Sequence, residues 1–151
     1  MVDTTMDRIE KQVVVRAPRS RVWRAITDAK EFGQWFRAEM KDPFVAGAVA
    51  RGRITYPGYE HLKLEVLVER MEPEHLFSYR WHPYDIERKK DFSSEPTTLV
   101  AFELSEVPEG TLVKLTESGF DQIPVALREE SFRRNSGGWD EQMKNIAQYL
   151  G

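Results

Sequence analysis

No cysteine occurs in the 151 residues, which excludes disulfides, thiolate metal sites and cysteine nucleophiles. Histidine is nearly as scarce. His61, His75 and His82 fall on turns and strand ends, and His75 and His82 have neither helical ligand spacing nor an obvious carboxylate to complete a set. No metal site and no cofactor are expected. Long apolar runs are missing too, since none approaches eighteen residues, and the opening MVDTTMD lacks the apolar stretch of a signal peptide. The expectation is a cytosolic, soluble protein without a membrane partner. An excess of positive charge is also absent. Lys and Arg number 22 against 25 Asp and Glu, a net charge of -3, so neither nucleic acid nor an anionic membrane is an expected partner. The common catalytic signatures are missing as well: no G-x-S-x-G elbow, phosphate-cradling glycine loop, dinucleotide fingerprint or H-E-x-x-H.

What remains is a 40% hydrophobic chain of a length that suits one domain, residues 1–151. IEKQVVVR (9–16) is β-branched, with Ile9, Val13 and Val15 on one side, and reads as a strand. The period then changes. Val22, Ala25 and Ile26 form a short helical stripe with Pro18 near its start, and Asp28 and Glu31 have capping-box spacing. Phe32, Trp35 and Phe36 follow at i, i+3 and i+4, predicting a second short helix.

From Ala48 to Ser118 alternation dominates. Leu62, Leu64, Val66 and Val68 share a face, as do Phe77, Tyr79 and Trp81, then Val100, Phe102 and Leu104, then Val113 and Leu115. Pro57-Gly58, Glu72-Pro73-Glu74 and Pro108-Glu109-Gly110 mark short turns, so neighbouring strands should pair antiparallel. Pro83 to Pro96 is a longer, charged connection expected to be mobile and to lie near a cavity mouth. The last element runs from Pro124 to Leu150, with Phe132, Trp139, Met143, Ile146 and Leu150 on one stripe. Asn135 and Ser136 occupy that stripe between Phe132 and Trp139. Beside them lies a Gly137-Gly138 pair that costs a helix roughly 2 kcal/mol. The glycines therefore suggest a recess, with Gly138 placed to admit a strand or a ligand.

The segments VVVRAPRSRVWRAITDAKEFGQWF, VERMEPEHLFSYRW, GTLVKLTESGF and NSGGWDEQMKNIAQYL, in this order, resemble the START-like (SRPBCC) superfamily. Within it they are similar to the branch named after the activator of Hsp90 ATPase. The resemblance implies an α+β, helix-grip (START/Bet v 1-like) fold. In that fold a curved antiparallel sheet of about six to seven strands surrounds a long C-terminal helix, with two short helices after the first strand. It also implies a cavity. Many relatives carry His before the Ser-Gly-Phe triplet where this chain has Glu117. The eukaryotic co-chaperone has a separate N-terminal domain for which 151 residues leave no room, so an Hsp90 interaction is not expected.

The candidate ligand-binding residues follow from the aromatic content. Trp35, Phe36, Phe44, Tyr56, Trp81, Phe120 and Trp139 are spread over elements that such a fold gathers, and Ser136 and Met143 lie on the helix stripe. Aromatic concave sites suit small hydrophobic or aromatic molecules. Glu117 either faces inward with Val113 and Leu115, where a carboxylate needs partners, or is turned to water by a bulge. Arg51, Arg53 and Arg80 are either its partners or a solvated outer face. The leading expectation is a stand-alone domain binding a small hydrophobic or aromatic molecule between sheet and helix, and a homodimer is admitted. One alternative is a chaperone-associated or regulatory protein-interaction module, which predicts a filled interior and an exposed apolar patch. Another is a cyclase- or hydrolase-type enzyme, which would draw its acid and base from Glu117 and Tyr56 or Tyr79, with no catalytic residue assigned.

Overall fold

The structure, a computed structural model, describes residues 8–60, 62–83 and 96–151. Strand β1 (Arg8–Val15) leads into helices α1 (Arg19–Thr27) and α2 (Ala29–Phe36). Six further strands follow: β2 (Ala38–Met40), β3 (Val49–Ile54), β4 (Lys63–Glu72), β5 (Leu76–Trp81), β6 (Thr98–Val107) and β7 (Gly110–Ser118). A 3-10 turn at Phe120–Gln122 precedes the long helix α3 (Val125–Leu150). All pairings are antiparallel, in the order β1-β7-β6-β5-β4-β3-β2. This is the helix-grip arrangement. The three-residue β2 is too short to leave a period in the sequence.

Local chemistry accounts for the elements. Pro18 occupies the N-cap of α1, and Asp28 ends that helix while its carboxylate accepts from the Lys30 and Glu31 amides to start α2. Strict alternation places Val66 and Val68, Phe77 and Tyr79, Val100 and Phe102, and Val113 and Leu115 on the inner face. The outer face is charged. Arg51, Arg53 and Arg80 pair there with Glu65, Glu39 and Glu69 respectively. They are the solvated outer face, not partners of Glu117.

The core lies between this inner face and the three helices. Val22, Ala25 and Ile26 of α1, Phe32, Trp35 and Phe36 of α2, and Trp139, Met143 and Ile146 of α3 are all buried in it. Burying one such side chain contributes about 1.5–3 kcal/mol, so the fold rests on this layer. Gln142 on α3 donates to the Phe36 carbonyl at 2.9 Å, and Lys11 on β1 reaches Asp140 at 2.9 Å, fixing α3 across the sheet. Of the charged connection expected to be mobile, residues 84–95 lie outside the described residues.

Candidate functional site

Alternation along β7 carries Thr111, Val113 and Leu115 inward and continues without a bulge to Glu117. The carboxylate is fully buried, at 0% exposure. Desolvating an ionised group is expensive unless its lone pairs are filled, and here they are. Oε2 accepts from Trp81 Nε1 at 2.8 Å, Thr98 Oγ1 at 2.5 Å and Asn135 Nδ2 at 3.1 Å. Oε1 accepts from Trp139 Nε1 at 2.8 Å and from Asn135 Nδ2 at 3.2 Å. All four donors are uncharged. None of the ion pairs among the described residues involves Glu117.

Geometry explains why these four meet. Trp81 ends β5 and Thr98 begins β6, and the two are paired in register at the same end of the sheet. Asn135 and Trp139 are four residues apart on α3 and so project from one face of it. The carboxylate thus ties three strands to the middle of the long helix. Around it the rings close up. Trp81 stacks on Trp139 with centroids 5.6 Å apart, and Phe36 lies 6.1 Å from each. Phe102 approaches Trp139 edge-on at 5.9 Å and Trp35 at 6.3 Å.

Tyr79 sits on the same inner face, across Val100 from Glu117 in the register. Its hydroxyl is fully buried and has no hydrogen-bond partner among the described residues. Burial first, and then the negative charge of Glu117, push the Tyr79 hydroxyl well above its ordinary range, so it stays a neutral phenol.

The structure brings together Trp35, Phe36, Trp81, Glu117 and Trp139 from the sequence-based set. Met143 is buried one turn beyond Trp139, and Ser136 is half-buried beside Asn135. Phe44 is buried too, but against Phe32 and Phe77, and Phe120 packs on Phe132. Tyr56 departs from the set. It is 51% exposed on the turn after β3, with its ring 5.7 Å from Tyr59, because β3 has ended before it and no inner face holds it.

The proposed recess is also corrected in part. The position between Phe132 and Trp139 is filled by the Asn135 amide on its way to Glu117. Gly137 and Gly138 are exposed, and a methyl group at either would meet nothing within 4 Å among the described residues, so none of the described strands approaches Gly138. Among the described residues, a surface groove of about 700 Å³ lies between α2 and β2 and another of about 540 Å³ beside the β6–β7 turn, and neither of these includes a residue of α3.

Sequence reasoning missed Thr98 and did not assign Asn135 a role. Thr98 belongs to the site only through strand register, which composition does not reveal. Asn135 did carry a signal, as a polar residue on an otherwise apolar stripe. Among the described residues no three His, Asp or Glu side chains cluster as metal ligands, and no helix is long and apolar enough to cross a membrane.

A curled antiparallel sheet gripping one long helix, with two short helices after the first strand, is the START-like fold. Residues 16–151 match the family described as activator of Hsp90 ATPase homolog 1-like protein, and the chain belongs to that family. Among solved structures it is similar to protein MLL2253 from Mesorhizobium loti, with 20% identity and a TM-score of 0.73 over 95% of this chain and 96% of that one. Protein NE0264 from Nitrosomonas europaea shares 13% identity, with a TM-score of 0.74 over 99% and 96%. The Aha1 dimer from Colwellia psychrerythraea shares 15%, with a TM-score of 0.68 over 95% of each. At these identities the likeness is one of fold. No curated protein matches the sequence significantly.

Proposed function

We propose that this chain is a stand-alone, cytosolic START-like domain that takes up a small hydrophobic or aromatic molecule between its sheet and α3, beside Glu117. The observation that carries the reading is the Glu117 carboxylate, buried without a cation among the described ion pairs and held by four uncharged donors from both walls of the interior. An apolar core needs no such group, and its burial is costly. A binding interior does need polar groups fixed in an aromatic surround.

Trp81 is the least enclosed ring of the set. It is only half-buried, at the end of β5, whereas Trp139 is 2% exposed. Withdrawing the Trp81 indole would free one position on Oε2 and uncover one face of Trp139, leaving an aromatic slot of about indole size. A flat apolar molecule stacked on Trp139 would restore the contact.

The test is isothermal titration with naphthalene, together with mass spectrometry of small molecules extracted from the purified protein. Trp81→Ala, which removes the occupant of the slot, should bind naphthalene several-fold more tightly than the parent. Absence of binding in both proteins, with no co-purifying apolar molecule, would end this reading.

A second reading, a protein-interaction module, draws on the exposed Tyr56–Tyr59 pair at 51% and 52% and on the contact between the interior rings. It predicts that Tyr56→Ser with Tyr59→Ser abolishes a partner interaction while leaving naphthalene binding unchanged. A homodimer, in keeping with the Colwellia structure, is checked by light scattering on the purified chain.

A further inference from the structure

Within the interior, hydrogen-bonding capacity is unevenly spent. Glu117 receives five contacts on two oxygens, so its lone pairs are filled. Trp35 spends its indole N–H on the Ala25 carbonyl at 2.8 Å, and Thr111 its hydroxyl on the Ala17 carbonyl at 2.7 Å. Among the described residues, the Tyr79 hydroxyl is the fully buried side-chain polar atom left without a hydrogen-bond partner. Its ring lies 5.4 Å from that of Trp81, the residue whose movement would open the slot. A buried hydroxyl without a partner costs about as much as a lost hydrogen bond, and native interiors satisfy nearly all such groups with protein, water or ligand.

Resting on the ligand-binding reading above, we infer that the molecule taken up is neutral and carries a hydrogen-bond acceptor, a carbonyl or ether oxygen, which receives the Tyr79 hydroxyl. Two features select against an anion. Glu117 and Tyr79 are both fully buried on the inner face, one on each side of Val100 in the register, so the Glu117 charge also reaches a group seated beside the Tyr79 hydroxyl. A second negative charge would be buried beside the first with no cation among the described ion pairs to offset it. A purely apolar molecule fits the slot but leaves the Tyr79 hydroxyl unsatisfied, so it binds less well than its acceptor-bearing counterpart.

Three probes of one shape decide this: naphthalene, 2-acetylnaphthalene and 2-naphthoate, titrated calorimetrically into the parent, Tyr79→Phe and Glu117→Gln. In the parent, 2-acetylnaphthalene should bind up to about tenfold more tightly than naphthalene, the worth of one satisfied neutral hydrogen bond, and 2-naphthoate should bind weakest. Tyr79→Phe removes an unpartnered hydroxyl and should fold normally. In it the preference for 2-acetylnaphthalene over naphthalene should vanish. Glu117→Gln should raise 2-naphthoate affinity relative to the neutral probes. Should Glu117→Gln fail to fold, the Tyr79→Phe comparison decides alone. Equal binding of naphthalene and 2-acetylnaphthalene by the parent, or a preference that survives Tyr79→Phe, overturns this inference and leaves the ligand-binding reading standing. If none of the three binds to any of these proteins or to Trp81→Ala, and no apolar molecule co-purifies, both fall together.

Discussion

Glu31 and Glu117 each fasten α3 to the rest of the molecule, and they do so in opposite surroundings. Near the surface, Glu31 accepts from Arg21 at 2.7 Å, Arg24 at 2.8 Å and the Tyr149 hydroxyl at 2.8 Å, joining both short helices to the C-terminal turn of α3. The Arg21 guanidinium also lies 5.5 Å from the centre of the Tyr149 ring. In the interior, Glu117 holds the middle of the same helix through two indoles, an amide and a hydroxyl. Where water is close, two cations can share a carboxylate at little desolvation cost and for little gain. Where water is excluded, burying a cation would add a second large penalty, and uncharged N–H and O–H donors do the work instead. The comparison predicts that the inner knot is stronger, insensitive to salt, and intolerant of a missing acceptor.

The largest effect should follow Glu117→Leu. The substitution removes a buried charge, which is favourable in itself, but leaves the donors of Trp81, Thr98, Asn135 and Trp139 facing an alkyl group. Each orphaned buried donor costs about 1–3 kcal/mol, and after relief of the carboxylate desolvation a net loss of about 2–4 kcal/mol is expected. Urea unfolding measures it. A variant as stable as the parent would mean that the inner knot contributes nothing to folding and serves binding alone.

Trp139→Phe sharpens the comparison by removing one donor while keeping a ring beside Trp81 and Phe102. The lost bond ends on a charged acceptor, so a cost of about 1.5–3 kcal/mol is expected. Trp35→Phe is the control. It deletes an indole bond of the same 2.8 Å length to the uncharged Ala25 carbonyl and should cost about 0.5–1.5 kcal/mol. Equal losses would show that the charge on Glu117 adds nothing to the bonds it receives.

The outer knot should respond to pH and salt. Burial pushes Glu31 upward, but hydrogen bonds from Tyr149 and Arg21 and the charges of Arg21 and Arg24 outweigh it, leaving the carboxyl below its ordinary 4.5. A folded value below the unfolded one means stability that is fully present above about pH 4.5 and is lost as pH falls through the folded value. Glu31→Gln should therefore cost about 1 kcal/mol at neutral pH and low salt, and the gap to the parent should narrow as pH falls below about 4.5 or in 1 M NaCl. Thermal melts at pH 7 and pH 3 test the sign. A gap that widens in acid contradicts it.

Much of the fold was legible because alternation and helical stripes are local. Phe77, Tyr79 and Trp81 lie on one face in the sequence and in the structure, as do Val100, Phe102 and Leu104. The inward direction of Glu117 was readable as one of two outcomes, since strand alternation reaches it but cannot say whether the strand end turns. Its partners were not readable. Trp81 and Thr98 meet it through strand register across β5, β6 and β7, and Asn135 through the rotation of α3, and both are tertiary quantities. Tyr56 misled for the opposite reason: aromatic character says nothing about side once a strand has ended.

The smallest effect is a gain, at the Gly137–Gly138 pair. Glycine elsewhere in the chain is required: Gly110 has a φ of 145° at the β6–β7 turn, and a Cβ there would lie 2.2 Å from the Val15 carbonyl oxygen. Neither constraint applies to the helical pair, which is exposed and has none of the described residues within 4 Å of an added methyl group. Gly137→Ala and Gly138→Ala should each raise stability by up to about 1 kcal/mol, because alanine loses less backbone entropy on entering a helix. Neither residue touches the inner knot, so naphthalene binding should be unchanged in both variants. A binding loss confined to Gly138→Ala, on the flank of the stripe that carries Trp139, would mean the ligand reaches round the helix to this backbone. A loss of stability in either variant would mean that another surface lies against this stretch of α3.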